Sequence, residues 1–273
     1  MIGSATLQSH LWGGAAHIWA ELQEPIAAPL WQAMLDVASV GPGTRLLDAG
    51  CGAGGASLLA AQRGALVNGL DAAEALLAIA RLRVPDGDFR VGDLEVLPYA
   101  ESTFDAVLAA DVLPYTMRPA VVLRELARVS RQGAYVVVAG EAAPPDPVRQ
   151  AIALALREFL PACCAGHGPF ELSRPGVLDA LVAEAGLRVL STAEIRCPWQ
   201  YADRETAWQA HASTGPLQAA MRLVGQAPIR AVVLRALVPF ATAEDAVPVV
   251  THFRYVLATP CRQPEFRKGE AEM

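Results

Sequence analysis

The sequence predicts an α/β protein built on a doubly wound, mostly parallel sheet, and three observations carry that expectation. Short apolar runs alternate with helically spaced segments from residue 45 to 141, the loops between them are short, and the runs are apolar throughout instead of alternating. Strands covered by helices on both faces read this way. RLLD (45–48) is the first strand; it enters the glycine cluster AGCGAGG (49–55) and is followed by the helix SLLAAQR (57–63). ALVNGLD (65–71) is a strand ending in an acid, and AEALLAIARLR (73–83) is the next helix. FRVGD (89–93) is a third strand, again closed by Asp, and FDAVLAAD (104–111) a fourth. The helix AVVLRELARVSR (120–131) stops at Gly133, and AYVVVAG (134–140) is the fifth strand.

Beyond Glu141 the alternation breaks. PPDP (144–147) opens an amphipathic helix at 148–160; a helix at 176–187 leads into the strand RVLSTAEIR (188–196). A helical stretch from about 204 to 238, interrupted by Gly215-Pro216 and Pro228, precedes the strand THFRYVLAT (251–259), and the polar tail 262–273 is expected to fray. No internal repeat is present.

Composition bounds the partners. The 273 residues are 53% hydrophobic and 18% charged, enough to bury a large core and incompatible with a mainly disordered chain. With 22 basic against 28 acidic residues and no basic block, neither nucleic acid nor an anionic membrane is an expected partner. No apolar run reaches the roughly 18 residues of a membrane span, and residues 1–14 do not read as a signal peptide, so a soluble, cytoplasmic protein is expected. Five cysteines without CxxC spacing argue against a disulfide framework and a metal site.

Gly50, Gly52 and Gly55 satisfy GxGxxG, a weak signal by itself. Asp48, two positions before the first glycine, decides between ligands. A carboxylate there repels a pyrophosphate and attracts a ligand carrying an ammonium and a sulfonium, which are the two cations of S-adenosylmethionine (SAM). A nicotinamide oxidoreductase is disfavoured on the same ground.

The run LLDAGCGAG (46–54) resembles the nucleotide loop of class I SAM-dependent methyltransferases, with glycines at 50, 52 and 54. The resemblance spans about residues 35 to 141. It implies a Rossmann-like methyltransferase fold whose sheet is completed by the two late strands, seven in all. It also implies a SAM site formed by Asp48, Ala49, Gly50, Cys51, Gly52 and Gly54. Asp71 with Ala72 matches the acid that holds the ribose hydroxyls, and Asp93 with Leu94 matches the pair at the adenine. Asp111 ends a strand at the same edge and is grouped with this set, although substrate binding, helix capping and solvation remain open to it. LWGGAAHIWAEL (11–22) and TAWQAHASTGP (206–216) are more loosely similar to small-molecule methyltransferases of ubiquinone and menaquinone biosynthesis.

Methyl transfer from a sulfonium is an in-line displacement in which alignment and desolvation supply much of the catalysis. Where a base is used, the candidates are His10, His17, His167, His211 and Glu141; His167, His17 and Glu141 are preferred for their places in an inserted loop, the N-terminal lid and the sheet edge. The expected organisation is a helical lid (1–34), a SAM-binding core (35–141), a cap insertion (142–172), a core helix and strand (173–202), a second helical cap (203–247) and a last strand with tail (248–273). Phe159, Phe170 and Trp208 are the expected walls of a pocket for a small apolar or aromatic acceptor, methylated on O, N or C. The alternative for the surplus helices is an extended core or a homodimer interface. The alternative for the function is a protein of this fold that keeps SAM for a cyclisation or decarboxylation.

Overall fold

A computed structural model describes residues 4–157, 159, 172, 174 and 176–261. Seven strands form one sheet in the order β3-β2-β1-β4-β5-β7-β6. They are β1 (Arg45–Ala49), β2 (Leu66–Asp71), β3 (Asp88–Val91), β4 (Phe104–Ala110), β5 (Ser130–Glu141), β6 (Leu187–Tyr201) and β7 (Val247–Pro260). β1 to β5 are mutually parallel; β7 runs antiparallel to both its neighbours. The expected α/β class and its strand-helix order are observed.

Successive side chains of a strand point to opposite faces, and both faces are dry here. Leu46, Leu108 and Val137 enter one core together with Leu30 and Leu35 of the helix Ala28–Val37 and Leu77 of the helix Glu74–Arg83. Leu47, Val107 and Val136 enter the other, against Val122 and Leu126 of the helix Pro119–Val129 and Val182 of the helix Val177–Glu184. The apolar runs lack alternation because neither face meets water.

Several boundaries differ from the sequence reading. The helix expected at 120–131 stops at Val129, and β5 begins at Ser130 instead of 134. β3 ends at Val91, leaving Asp93 in a turn. The helix expected to 160 ends at Leu156. The strands read as 188–196 and 251–259 run from Leu187 to Tyr201 and from Val247 to Pro260, because they pair with each other beyond Glu141, the last residue of β5. Their overhang carries three helices, Arg204–Ala212, Gly215–Val224 and Gln226–Leu237. The second break falls at Gly225, with φ +85°, and not at Pro228. Pro228 lies in the first turn of the last helix, where its missing N–H removes no intrahelical bond.

These helices do not form a separate body. Trp208, Leu217, Ile229 and Val233 join the same core as β1 and β4, along with Ile152 of the helix Pro147–Leu156. The N-terminal segment, Ser4–Gly13 followed by irregular helical turns to Ala27, packs Trp12 and Trp19 on Ala53, Leu76 and Ile79. The helix Ala28–Val37 crosses residues 34 and 35, so lid and core share it. Among the described residues, no helix is long and apolar enough to cross a membrane.

Candidate SAM-binding site

The carboxyl ends of β1 and β2 bring the glycine loop against Asp71. Gly50 and Cys51 both donate their N–H to Leu70 O, and Gly52 N–H donates to Asp71 Oδ2 at 3.0 Å. The other Asp71 oxygen accepts from Ala73 N–H at 2.8 Å, on the far side of Ala72. Gly50, Gly52 and Gly54 all have positive φ, whereas Gly55 begins the helix Gly55–Gln62, so the 50/52/54 reading of the loop is the structural one. Two of these glycines are also fixed by close approach. A Cβ on Gly50 would lie 2.4 Å from Val112 Cγ2, and one on Gly52 would lie 2.8 Å from Trp19 Cη2.

Asp48 is 2% exposed and accepts a hydrogen bond from Ser57 Oγ at 2.7 Å. Burial pushes its carboxyl up to about 6; Glu24 and Asp71 add to the rise, and the Ser57 hydroxyl opposes it. Burial likewise raises Asp71 against the pull of its backbone donors, and raises the Cys51 thiol well above its ordinary value. The loop is therefore a concentration of negative charge held out of water, the reverse of a phosphate cradle and a fit for a cationic ligand.

Asp93 follows β3 in a turn, where Asp93 Oδ1 accepts from Glu95 N–H at 2.9 Å and Leu94 is buried. Gly92 N–H donates to Asp71 O, tying this turn to the end of β2. The structure thus gathers Asp48, Ala49, Gly50, Cys51, Gly52, Gly54, Asp71, Ala72, Asp93 and Leu94 along one edge of the sheet. Asp111 stands at the end of β4 on that edge, its N–H donating to Ala139 O.

The other expected site residues divide. Glu141, at the end of β5, is buried and lies 3.1 Å from Arg149 Nη2. His17 is exposed on the lid. Trp208 is 3% exposed inside the main core, and Phe159 is half-buried against it. His167 and Phe170 lie outside the described residues.

Sequence reasoning missed Glu24 and Arg83. Glu24 is 4% exposed; its Oε1 accepts from Gly55 N–H at 3.2 Å and its Oε2 pairs with Arg83. Arg83 also donates to Ala53 O at 2.9 Å and Ala20 O at 3.1 Å, so one guanidinium fastens lid to loop. Arg149 was missed too, although a cation in the first turn of a helix opposes the helix dipole and is a legible anomaly. Its compensation comes from outside the helix: burial works against the Arg149 cation, but Glu141, Tyr115 and Asp111 together hold it above its ordinary value.

Comparison with known proteins agrees with this geometry. Residues 47–138 match the family model described as a methyltransferase domain. The chain is 37% identical over 131 residues to the ubiquinone biosynthesis O-methyltransferase of Hahella chejuensis, covering 46% of this chain and 54% of that protein. It is 35% identical over 130 residues to the demethylmenaquinone methyltransferase of Renibacterium salmoninarum, covering 47% and 55%. The chain thus spans about half the length of these curated relatives. Among solved structures it shares its fold with the YcgJ protein of Bacillus subtilis, with TM-score 0.61, 18% identity and coverage of 85% of this chain and 98% of that one. It shares it also with the [4+2]-cyclase SpnF, with TM-score 0.55, 20% identity and coverage of 87% and 82%. The matched residues 47–138 take in the glycine loop and its buried acids within the seven-stranded sheet, and over this stretch the chain is similar to a methyltransferase domain.

Proposed function

We propose that this protein transfers the methyl group of SAM to a small organic acceptor. The observation that carries the reading is the buried Asp48 carboxylate beside a loop whose backbone turns through positive φ at residues 50, 52 and 54. SAM supplies an electrophilic methyl on a sulfonium. In this assignment the Asp48 charge attracts the cationic end of SAM, Asp71 receives the ribose hydroxyls, and Asp93 with Leu94 meets the adenine. Trp19, lying on Gly52, excludes water from the loop and so strengthens each electrostatic contact there.

Acceptor selectivity belongs, in this reading, to the parts that the alternating core does not need: the N-terminal helices and the segments 142–172 and 203–247. The helices Pro147–Leu156 and Arg204–Ala212 bring Arg149 and His211 near each other and near the ends of β4 and β5. Phe159 is the proposed acceptor-facing residue of this cap.

Calorimetry with SAM, S-adenosylhomocysteine and NAD tests the cofactor, and product mass after incubation with SAM and a metabolite extract tests the chemistry. Binding of both sulfur ligands but not NAD, with a product heavier by one methyl group, is expected. NAD binding without SAM binding overturns the assignment, and a product isomeric with its substrate or smaller overturns methyl transfer.

A further inference from the structure

The end of β4 carries a polar group that SAM binding does not need. Asp111 sits in the left-handed region with φ +52°, a conformation uncommon for a non-glycine residue. Its neighbour Val112 packs against Gly50 of the SAM loop. Four residues on, Tyr115 meets Trp12 edge to face at 5.0 Å, and Trp12 in turn meets Trp19, the lid residue on Gly52, at 6.0 Å. Asp111 is therefore bracketed by the loop on one side and by the lid aromatics on the other.

Charged and titratable groups face Asp111 from three directions. Arg149 comes from the helix Pro147–Leu156, Glu141 from the end of β5 and Tyr115 from the turn after β4. Burial raises Asp111 most and Glu141 raises it further, while Arg149 draws it back, leaving it at about 7. Such a carboxyl can hold or release a proton at neutral pH. Next to Arg149, on the helix Arg204–Ala212, His211 is 6% exposed and its Nε2 has no hydrogen-bond partner. Burial first, then Arg149, lowers it to about 3, so its ring is neutral and its Nε2 is a buried polar atom still to be satisfied.

We propose that Asp111 is the general base of this enzyme and that its acceptor is a hydroxylated molecule methylated on oxygen, the hydroxyl docking at Asp111 under the field of Arg149. This rests on the methyl-transfer reading above. In the step the acceptor O–H bond breaks and its proton passes to the Asp111 carboxylate. The oxygen forms its bond to the methyl carbon as the bond from that carbon to sulfur breaks, the electron pair staying on sulfur to give neutral S-adenosylhomocysteine. Arg149 offsets the negative charge that develops on the oxygen. Only an amine acceptor that enters already as the free base attacks without giving up a proton first, whereas a hydroxyl must lose one in the step.

The test uses the full chain, [methyl-13C]SAM and a small-metabolite extract, with labelled products typed by NMR as methoxyl, N-methyl or C-methyl. A methoxyl product is expected, and its rate of formation should rise with pH through about 7 as Asp111 ionises. Asp111→Asn should lose about 100-fold at pH 7. It should recover toward the parent near pH 10, about where a phenolic hydroxyl ionises unaided. Its SAM affinity should stay within a few-fold, which a cofactor role for Asp111 would not allow. An N-methyl or C-methyl product, a parent rate flat through neutrality, or a variant that loses SAM binding instead of turnover overturns the proposal. A parent protein that binds SAM and labels nothing overturns the methyl-transfer reading, and this one with it; the parent pH profile decides the matter even if the variant fails to fold.

Discussion

Trp19 lies directly on Gly52: a Cβ at that glycine would come 2.8 Å from Trp19 Cη2. The N-terminal segment thus packs on the part of the loop that has no side chain. Gly52→Val should be excluded twice, by its φ of +55°, which costs an L-residue about 1–2 kcal/mol, and by the indole above it. The expected outcome is loss of SAM binding in calorimetry together with a changed Trp19 environment in fluorescence.

Among the described residues Arg83 is the single cation paired with the buried Glu24, and it also donates to Ala53 O and Ala20 O. Arg83→Met leaves a carboxylate whose burial already raises it above its ordinary value and removes the opposing charge. The cost should be about 3 kcal/mol, at the low end for a broken buried pair because Arg83 keeps 28% side-chain exposure. Chemical denaturation measures it. Adding Glu24→Gln should restore part of the loss, since the stranded charge then disappears.

Asp48 makes stability depend on pH in a defined direction. Its carboxyl lies at about 6 in the folded protein against 3.8 for an ordinary aspartate. The folded state therefore keeps a proton that the unfolded chain has released. The stabilisation is complete below about pH 4 and is lost as pH rises through about 6. Asp48→Asn should lack this slope and gain up to about 3 kcal/mol over the parent above pH 6 in SAM-free denaturation curves, while binding SAM more weakly. SAM binding to the parent near pH 6 should release protons, visible as a buffer-dependent heat, because the cation favours the ionised carboxylate.

Asp71→Ala and Asp93→Ala should each weaken SAM by about 1–3 kcal/mol. The two should differ in which analogue they stop rejecting: Asp71 should report on the ribose hydroxyls and Asp93 on the adenine amine. Asp71→Ala also frees Gly52 N–H and Ala73 N–H, so its loop should exchange amide hydrogens faster, which hydrogen exchange of the ligand-free protein reads directly.

Trp208 should behave as a core residue. At 3% exposure among Ala207, Leu217 and Ile229, its truncation to Ala should cost about 3–5 kcal/mol and lower Tm by many degrees. A change in acceptor selectivity at full stability would show instead that the indole lines the pocket.

The succession of strands and helices from 45 to 141 and the glycine loop were legible because both are local. Strands buried on two faces must be apolar at every position, and a backbone that turns through positive φ at residues 50, 52 and 54 asks for glycine at each. Asp48, Asp71, Asp93 and Asp111 were findable for a related reason: each stands at or just beyond the carboxyl end of a strand, and parallel strands bring those ends to one edge. The strand ends at 201 and 247 were not legible, because β6 and β7 extend by pairing with each other, and partners 46 residues apart or more in sequence leave no local sign.

What the sequence by itself determined is the sheet, the loop and the charge that selects a cationic ligand, since periodicity, φ preference and the spacing of acids are properties of short segments. Only the tertiary structure decided that Glu24 accepts from Gly55 N–H while pairing with Arg83, that Trp208 is core, and that Arg149, Glu141, Asp111 and His211 come together. Those residues come from segments up to 100 positions apart. Burial and opposing charge set their protonation, and neither exists until the chain has folded around them.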